Sequence, residues 1–243
     1  MNVIDLIYDS EHDLHIRLRM PEGVEAPPLY FHMHGGGMTG GDYAWAENEL
    51  LCALCEDGVA SASIEYRLYP NAKYPEFIED CARAVDFLLN KSDYKFTDIF
   101  AGGSSAGGYL SMMLFFDKHY LGAYGIDPWK FAGWIFNAGQ PTVHFNVLTE
   151  RGLDSRLLRV DEAAPLYHIT GNYPADPLPR ILHIAASSDM PCRLEQVKLL
   201  QATMRHFGYP DSKNTFMYMN GFSHTAYNGN PDFIEAIKRF IRQ

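Results

Sequence analysis

The chain has 243 residues, 47% of them hydrophobic, and a formal net charge of -10 at pH 7. This length and composition are sufficient for a large buried core, and the acidic balance excludes the basic surface that nucleic-acid binding requires. No apolar run reaches the roughly 18 residues of a membrane-spanning helix, and residues 1–5 lack the positive and apolar regions of a secretory signal. We therefore expect a cytoplasmic protein that binds neither nucleic acid nor membrane.

Strand and helix patterns alternate along the chain without a low-complexity linker, which favours one α/β domain over residues 1–243. Two strands near 3–8 and 14–20 flank a polar turn and predict an antiparallel hairpin. Further strands are predicted near 29–34, 60–66, 98–104, 131–137, 181–187 and 214–220, and helices near 44–57, 75–91, 106–119, 192–207 and 231–242. The sequence thus predicts a mostly parallel sheet of about eight strands with helices on both faces.

The third predicted strand is followed by the sequence HGGG at residues 34–37. Glycines lack a Cβ, so their backbone N–H groups can approach a developing negative charge closely. His34 and Gly35 are expected to support this turn, His34 by hydrogen bonding. Three residues further along the chain, Met38, Tyr43 and Trp45, either line a substrate pocket or pack against the start of the next helix.

A second motif, G-x-S-x-G, covers residues 103–107 between a predicted strand and a predicted helix. This context is that of a nucleophile elbow, a strained turn that lifts a serine hydroxyl to the edge of a sheet. A phosphate-binding loop is the alternative, but it requires Lys-Ser or Lys-Thr after the last glycine, and Tyr109 and Leu110 stand there instead. Ser105 is therefore the candidate nucleophile, and it needs a base and an orienting acid.

The remainder of the chain supplies both groups in the required order. Asp189 follows a β-rich run, and His224 follows the next predicted strand. Asp176 and Asp211 are competing carboxylates, and Asp189 is itself open to interpretation as a helix N-cap. Of the other histidines, those at 32 and 183 fall within strand patterns, which favours packing roles.

Four cysteines are present, at positions 52, 55, 81 and 192. Cys52 and Cys55 form a C-x-x-C, but no second pair with the spacing of a zinc site accompanies them. We expect free thiols and no bound metal.

The largest predicted insertion, residues 138–179, follows the sixth strand. It combines apolar and basic residues, a pattern consistent with short amphipathic helices over a site and equally with a packed surface excursion. These residues are Phe145, Leu148, Leu153, Leu157 and Leu158, among Arg151, Arg156 and Arg159.

The two motifs together resemble the α/β-hydrolase superfamily, and within it the HGGG-bearing esterases similar to hormone-sensitive lipase and to small carboxylesterases of the BD-FAE type. The segments EYRLYP at 65–70 and APLYH at 164–168 extend the resemblance from about residue 30 to the carboxyl end. The sequence GFSH at 221–224 departs from the usual H-G-F around the base. Residue 34 is reached too early for the large amino-terminal cap of the larger relatives.

By position, the resemblance implies Ser105 as nucleophile, Asp189 as orienting acid and His224 as base, with the backbone N–H groups of Gly36, Gly37 and Ala106 as oxyanion hole. It implies no metal or organic cofactor. We therefore predict a serine carboxylic-ester hydrolase for small, short-acyl esters. An amidase, a formamidase or a sugar-acetyl deacetylase would use the same groups, and a noncatalytic small-ligand binder on the same fold is a remote alternative. The oligomeric state is open.

Overall fold

A computed structural model of the protein describes residues 1–174 and 177–243. Within these ranges, eight strands form one sheet. In chain order, β1 to β8 are Asn2–Asp9, Leu14–Met20, Leu29–Met33, Ala60–Ile64, Ile99–Ser104, Gly133–Asn137, Arg180–Ser188 and Asn214–Ser223.

The strand order in the sheet is β1-β2-β4-β3-β5-β6-β7-β8. The β1–β2 hairpin is antiparallel and β2 also pairs with β4 in the antiparallel sense, whereas β3 to β8 are all parallel. The predicted hairpin feeding a mostly parallel sheet is confirmed. Because the parallel strands share one direction, the loops after β3, β5, β7 and β8 open at the same edge of the sheet.

The helices lie close to their predicted positions. In chain order, α1 to α7 are Asn48–Glu56, Glu76–Asp86, Ala106–Phe116, His119–Gly122, Phe145–Glu150, Arg193–His206 and Pro231–Arg242. The prediction of a helix from residue 44 was wrong by one turn, because Glu47 adopts a left-handed backbone with φ 47° and helical geometry begins only after it.

Strand residues alternate between two core clusters, one on each face of the sheet. Phe31 and Ala101 belong to the same cluster as the buried residues of α2 and α3. Their neighbours Tyr30 and Phe100 belong to a second cluster with α1 and α7. Helices thus cover both faces of the sheet, as the sequence predicts. A functional site is therefore expected in the loops at the carboxyl ends of the strands. Among the residues described, no helix has the length and apolar character needed to cross a bilayer.

Candidate active site

The turn between β5 and α3 holds Ser105 in a strained backbone conformation, with φ 56° and ψ -111°. The residues two positions before and after it, Gly103 and Gly107, are glycines because a side chain does not fit there. A Cβ at Gly107 would lie 1.8 Å from the carbonyl oxygen of Met33, and one at Gly103 would lie 2.5 Å from the carbonyl oxygen of Gly107. Close approach of β3, β5 and α3 therefore requires this sequence, and it presents the Ser105 hydroxyl at the sheet edge.

Three side chains from separate loops form a hydrogen-bonded chain at that edge. Ser105 Oγ lies 2.7 Å from His224 Nε2, and His224 Nδ1 lies 2.6 Å from Asp189 Oδ1. Asp189 directly follows β7 and His224 directly follows β8. The structure thus brings together the three residues that the sequence predicts as a triad, and the arrangement permits proton transfer from the hydroxyl to the imidazole.

Asp189 is held as a carboxylate. Burial opposes its ionisation, but the hydrogen bond and charge of His224 and the backbone N–H of Met190 outweigh burial, so the pKa of Asp189 lies below its usual value. The Met190 N–H donates to Asp189 Oδ1 at 2.7 Å. An ionised carboxylate accepts hydrogen bonds only, so it favours the tautomer with the proton on Nδ1 of His224 and leaves Nε2 free to accept one from Ser105.

The glycine loop lies beside Ser105. His34 Nδ1 lies 2.6 Å from the carbonyl oxygen of Gly35, and its ring stacks on Tyr66 with centroids 4.3 Å apart. Burial lowers the pKa of His34, so the ring is a neutral support of the turn. Gly36 and Gly37 have φ of 112° and 65°, conformations that favour glycine. Their proposed role as oxyanion donors, together with Ala106 at the first position of α3, stays a prediction.

An open cleft of about 460 Å³ surrounds these groups. It is lined by the glycine loop, the triad serine and histidine, Glu47, Phe145 and Met190. Phe145 begins α5, so the 138–179 insertion does contribute to the cleft. Leu157 and Leu158, by contrast, remain exposed. One part of the insertion therefore lies at the cleft, and another part is a surface excursion. Met38 is buried in the core, which settles its role as packing.

A buried polar network behind the serine was missed by sequence reasoning. Asn228 donates from its amide nitrogen to Ser104 Oγ at 2.9 Å and to Glu47 Oε1 at 2.8 Å. Asn137 donates to the same Ser104 Oγ at 3.1 Å, and His32 Nε2 lies 2.9 Å from Glu47 Oε2. These residues come from five different segments, so no local motif marks them.

Asn146 was also missed. Its side-chain amide donates to the carbonyl oxygen of Gly37, which connects α5 to the glycine loop. The position follows His144 and Phe145 in a segment with no recognisable motif, and only the fold brings it to the loop.

The competing candidates lie elsewhere. Asp211 pairs with Arg205 at 2.7 Å on the surface, and Asp176 lies outside the described residues. Asp189 is not an N-cap, because α6 begins at Arg193 with Cys192 in the capping position. His32 and His183 are buried in strands, as predicted.

Comparison with known proteins finds similarity to esterases in sequence and in fold. The family model BD-FAE matches residues 16–121. A carboxylic ester hydrolase, LipN of Mycobacterium tuberculosis, is 36% identical over 100 residues, which cover 39% of this chain and 26% of LipN. Esterase 2 of Thermogutta terrifontis, in a structure phosphoramylated by tabun, superposes with a TM-score of 0.78 over 99% of this chain and 94% of that one, at 16% identity.

The chain has the α/β-hydrolase fold. An esterase of the archaeon Pyrobaculum calidifontis has the same fold, with a TM-score of 0.73 over 99% of this chain and 84% of its own, at 21% identity. The matches by sequence are partial: the chain spans 26% to 35% of the length of curated relatives such as LipN and versiconal hemiacetal acetate esterase of Dothistroma septosporum. The family-model match, over residues 16–121, includes Ser105 but neither Asp189 nor His224.

Proposed function

We propose that the protein is a serine carboxylic-ester hydrolase that acts on small, short-acyl esters. The observation that carries the proposal is the continuous hydrogen-bonded chain from Ser105 through His224 to Asp189, located in an open cleft. Relatives named as carboxylic ester hydrolases and esterases support the same reaction class. A noncatalytic binder has no need of a strained serine with an oriented base.

In the proposed reaction, Ser105 Oγ attacks the ester carbonyl carbon while its proton passes to His224 Nε2. The carbonyl oxygen becomes an oxyanion beside the N–H groups of Gly36, Gly37 and Ala106. When the tetrahedral intermediate collapses, the bond to the alcohol oxygen breaks and that oxygen takes the proton from His224. Water then attacks the acyl-enzyme by the reverse proton path and releases the carboxylic acid. Asp189 orients the imidazole and stabilises its charged form.

The short-acyl preference is inferred from the shape of the site. A long acyl chain gains about 0.8 kcal/mol per buried methylene only where a deep apolar channel accepts it. Here the cleft around Ser105 is open, and glycine backbone and polar side chains make up much of its lining. An acyl group beyond a few carbons that stays in this cleft therefore projects into water and buries little apolar surface.

A fluorophosphonate probe tests the proposal directly. We expect stoichiometric labelling of the folded protein, mapped by peptide mass spectrometry to Ser105, together with hydrolysis of p-nitrophenyl acetate. The variant His224→Ala should lose both labelling and turnover while it keeps its circular dichroism spectrum. Absence of labelling in the folded wild-type chain would refute a serine hydrolase and favour the binder.

A further inference from the structure

A side pocket of about 240 Å³ extends from the catalytic cleft. Phe145 and Met190 line both spaces, so the pocket lies one side chain away from the Ser105 region. Its lining is mostly apolar and includes Leu157 and Leu158 of the 138–179 insertion, next to the exposed Arg156, which pairs with Asp154. Three polar side chains of the lining, those of Gln140, Arg193 and Gln196, are buried, and we call them the floor of the pocket.

The floor is unusual because its three polar side chains are all buried. Arg193 is 2% exposed, and Gln140 and Gln196 are 4% and 6% exposed. Arg193 donates to the carbonyl oxygen of Ala138 and, at 3.0 Å, to Gln140 Oε1, while its Nε has no hydrogen-bond partner among the described residues. Buried polar groups in folded proteins are normally paired.

The floor is richer in free donors than in free acceptors. Gln140 Oε1 already accepts from Arg193, and Gln196 Oε1 already accepts from Thr142 at 2.8 Å. The Arg193 guanidinium carries only donors, and its Nε is unpaired among the described residues. A ligand that brings acceptors therefore complements this floor best.

The guanidinium also lacks a counter-charge. Within residues 1–174 and 177–243, no carboxylate lies within ion-pair distance of Arg193, and Asp189 acts on it only at longer range. Burial lowers the pKa of Arg193 to about 10, which leaves it charged at neutral pH. Burying a cation without a partner costs free energy that a bound anion would recover.

Part of this arrangement is structural. Arg193 braces Ala138, which has φ 51°, at the turn after β6. Two bonds to neutral oxygens explain why the side chain is held in place, but a neutral donor would serve that purpose. They do not explain a fixed charge at the floor of a pocket that opens beside the nucleophile.

We propose that the side pocket binds a carboxylate group of the ester substrate, held by the guanidinium of Arg193 and the amide NH₂ of Gln196. Preferred substrates are then half-esters of dicarboxylic acids, or esters of alcohols that carry a carboxylate. The inference rests on the proposed esterase function for its kinetic test, but the binding site itself is testable without catalysis.

The kinetic test compares charged and neutral esters of equal length. For the acyl side, the pair is mono-p-nitrophenyl glutarate and p-nitrophenyl pentanoate, after subtraction of spontaneous hydrolysis; for the alcohol side, it is 4-acetoxybenzoate and 4-acetoxybenzamide. We expect kcat/KM to favour the charged member of one pair by roughly 10- to 100-fold, the range of a charge-assisted hydrogen bond. The pair that shows the preference identifies which half of the ester enters the pocket.

The variant Gln196→Glu places a carboxylate beside Arg193 and still accepts from Thr142, so it tests the charge without removing the brace. It should lower the ratio of kcat/KM for the charged ester to kcat/KM for the neutral ester at least tenfold. Arg193→Met, once its circular dichroism spectrum shows that it is folded, should lower this ratio as well. Lys198→Gln is the matched control, because it makes the chain more negative by the same unit on an exposed position of α6. It should leave the ratio unchanged within about twofold.

Cys192 provides a readout without turnover. It is an exposed free thiol on the wall of the side pocket. In the Ser105→Ala background, the rates at which iodoacetate and iodoacetamide alkylate Cys192 are compared. We expect the ratio of the iodoacetate rate to the iodoacetamide rate to be higher in the folded chain than in the urea-unfolded chain. Glutarate should slow this reaction, and Gln196→Glu should abolish the difference.

The two readouts separate the two hypotheses. Enhanced alkylation by iodoacetate without ester hydrolysis would refute the proposed function and keep the anion pocket. Ester hydrolysis with no preference in either ester pair, and a Cys192 alkylation ratio equal to that of the unfolded chain, would overturn the anion pocket and keep the esterase.

Discussion

Asn146 donates a hydrogen bond from its side-chain amide to the carbonyl oxygen of Gly37. The bond joins the short helix α5 of the insertion to the glycine loop, which lines the same cleft as Ser105. A Cβ at Gly37 would lie 2.7 Å from Asn146 Nδ2, so the two segments are packed as closely as glycine allows. Asn146 therefore fixes the start of α5 against the glycine loop.

We expect Asn146→Asp to lower kcat about tenfold with a smaller change in KM. A carboxylate cannot donate to Gly37 and repels its carbonyl oxygen, so the loop loses its position in the transition state, where its N–H groups are needed. Steady-state kinetics on p-nitrophenyl acetate measure the effect. Thr149→Val, on the same helix and away from the loop, is the control and should stay near wild type. An Asn146→Asp enzyme with wild-type kcat would mean that the hydrogen bond does not position the loop.

Ser105→Ala should remove nearly all hydrolysis, by a factor on the order of a millionfold in kcat, with the fold retained. Its neighbour provides the contrast. Ser104 Oγ accepts from Asn137 and Asn228 at 3.1 and 2.9 Å, so Ser104→Ala should cost about 1 to 3 kcal/mol of stability through unpaired amides and keep most activity. Kinetics and urea unfolding of both variants check this. An active Ser105→Ala beside an inactive Ser104→Ala would move the nucleophile by one residue.

The dependence of activity on pH should show one ascending limb. Burial lowers the pKa of His34 and of His144, so both rings stay neutral, and Asp189 stays ionised because its pKa lies below its usual value. Only the base must lose a proton before it can accept one from Ser105. We expect kcat/KM to rise along a single limb as the pH increases, because the base must be neutral to accept the proton. Chelators should have no effect, and inhibition by EDTA that added zinc reverses would contradict the metal-free mechanism.

Activity should fall with acyl length. In a series of p-nitrophenyl esters we expect acetate to butyrate to be preferred, with lower kcat/KM at about eight carbons or more and no activation at oil–water interfaces. The open cleft leaves added methylenes in water, so they gain little free energy from burial. A maximum at decanoate or longer would instead indicate an acyl tunnel between Phe145 and the leucines of the insertion.

His183 makes the fold sensitive to acid. The ring is fully buried, its Nε2 lies 2.8 Å from Asn214 Oδ1, and burial lowers its pKa to about 4. The unfolded chain therefore binds a proton near pH 6.5 that the folded chain refuses until about pH 4, so stability is lost as pH falls between these values.

The loss amounts to about 2 to 3 kcal/mol at pH 4.5 relative to pH 7. We expect His183→Gln to remove this part of the pH dependence, as judged by urea unfolding at both values. His206→Gln, at the exposed carboxyl end of α6, is the control. Equal acid sensitivity in wild type and His183→Gln would refute the account.

Much of this site could be predicted because its chemistry depends on local constraints. The elbow at Ser105 needs glycines at fixed offsets, and Asp189 and His224 follow strands whose patterns are strong. The remainder depends on contacts between distant segments. Asn146, Glu47 and Arg193 belong to no motif. The sequence does not distinguish them from other polar residues in loops and helices, because their roles depend on which distant segments they contact.

The network behind the nucleophile also determines when a newly made chain becomes competent. Ser104 is bonded to a residue 124 positions later, and Glu47 to the same residue 181 positions later. In a polypeptide emerging from the ribosome, His224 is added 119 residues after Ser105. The hydrogen-bonded chain and the network behind the serine can therefore both be complete only after residue 228 has been made.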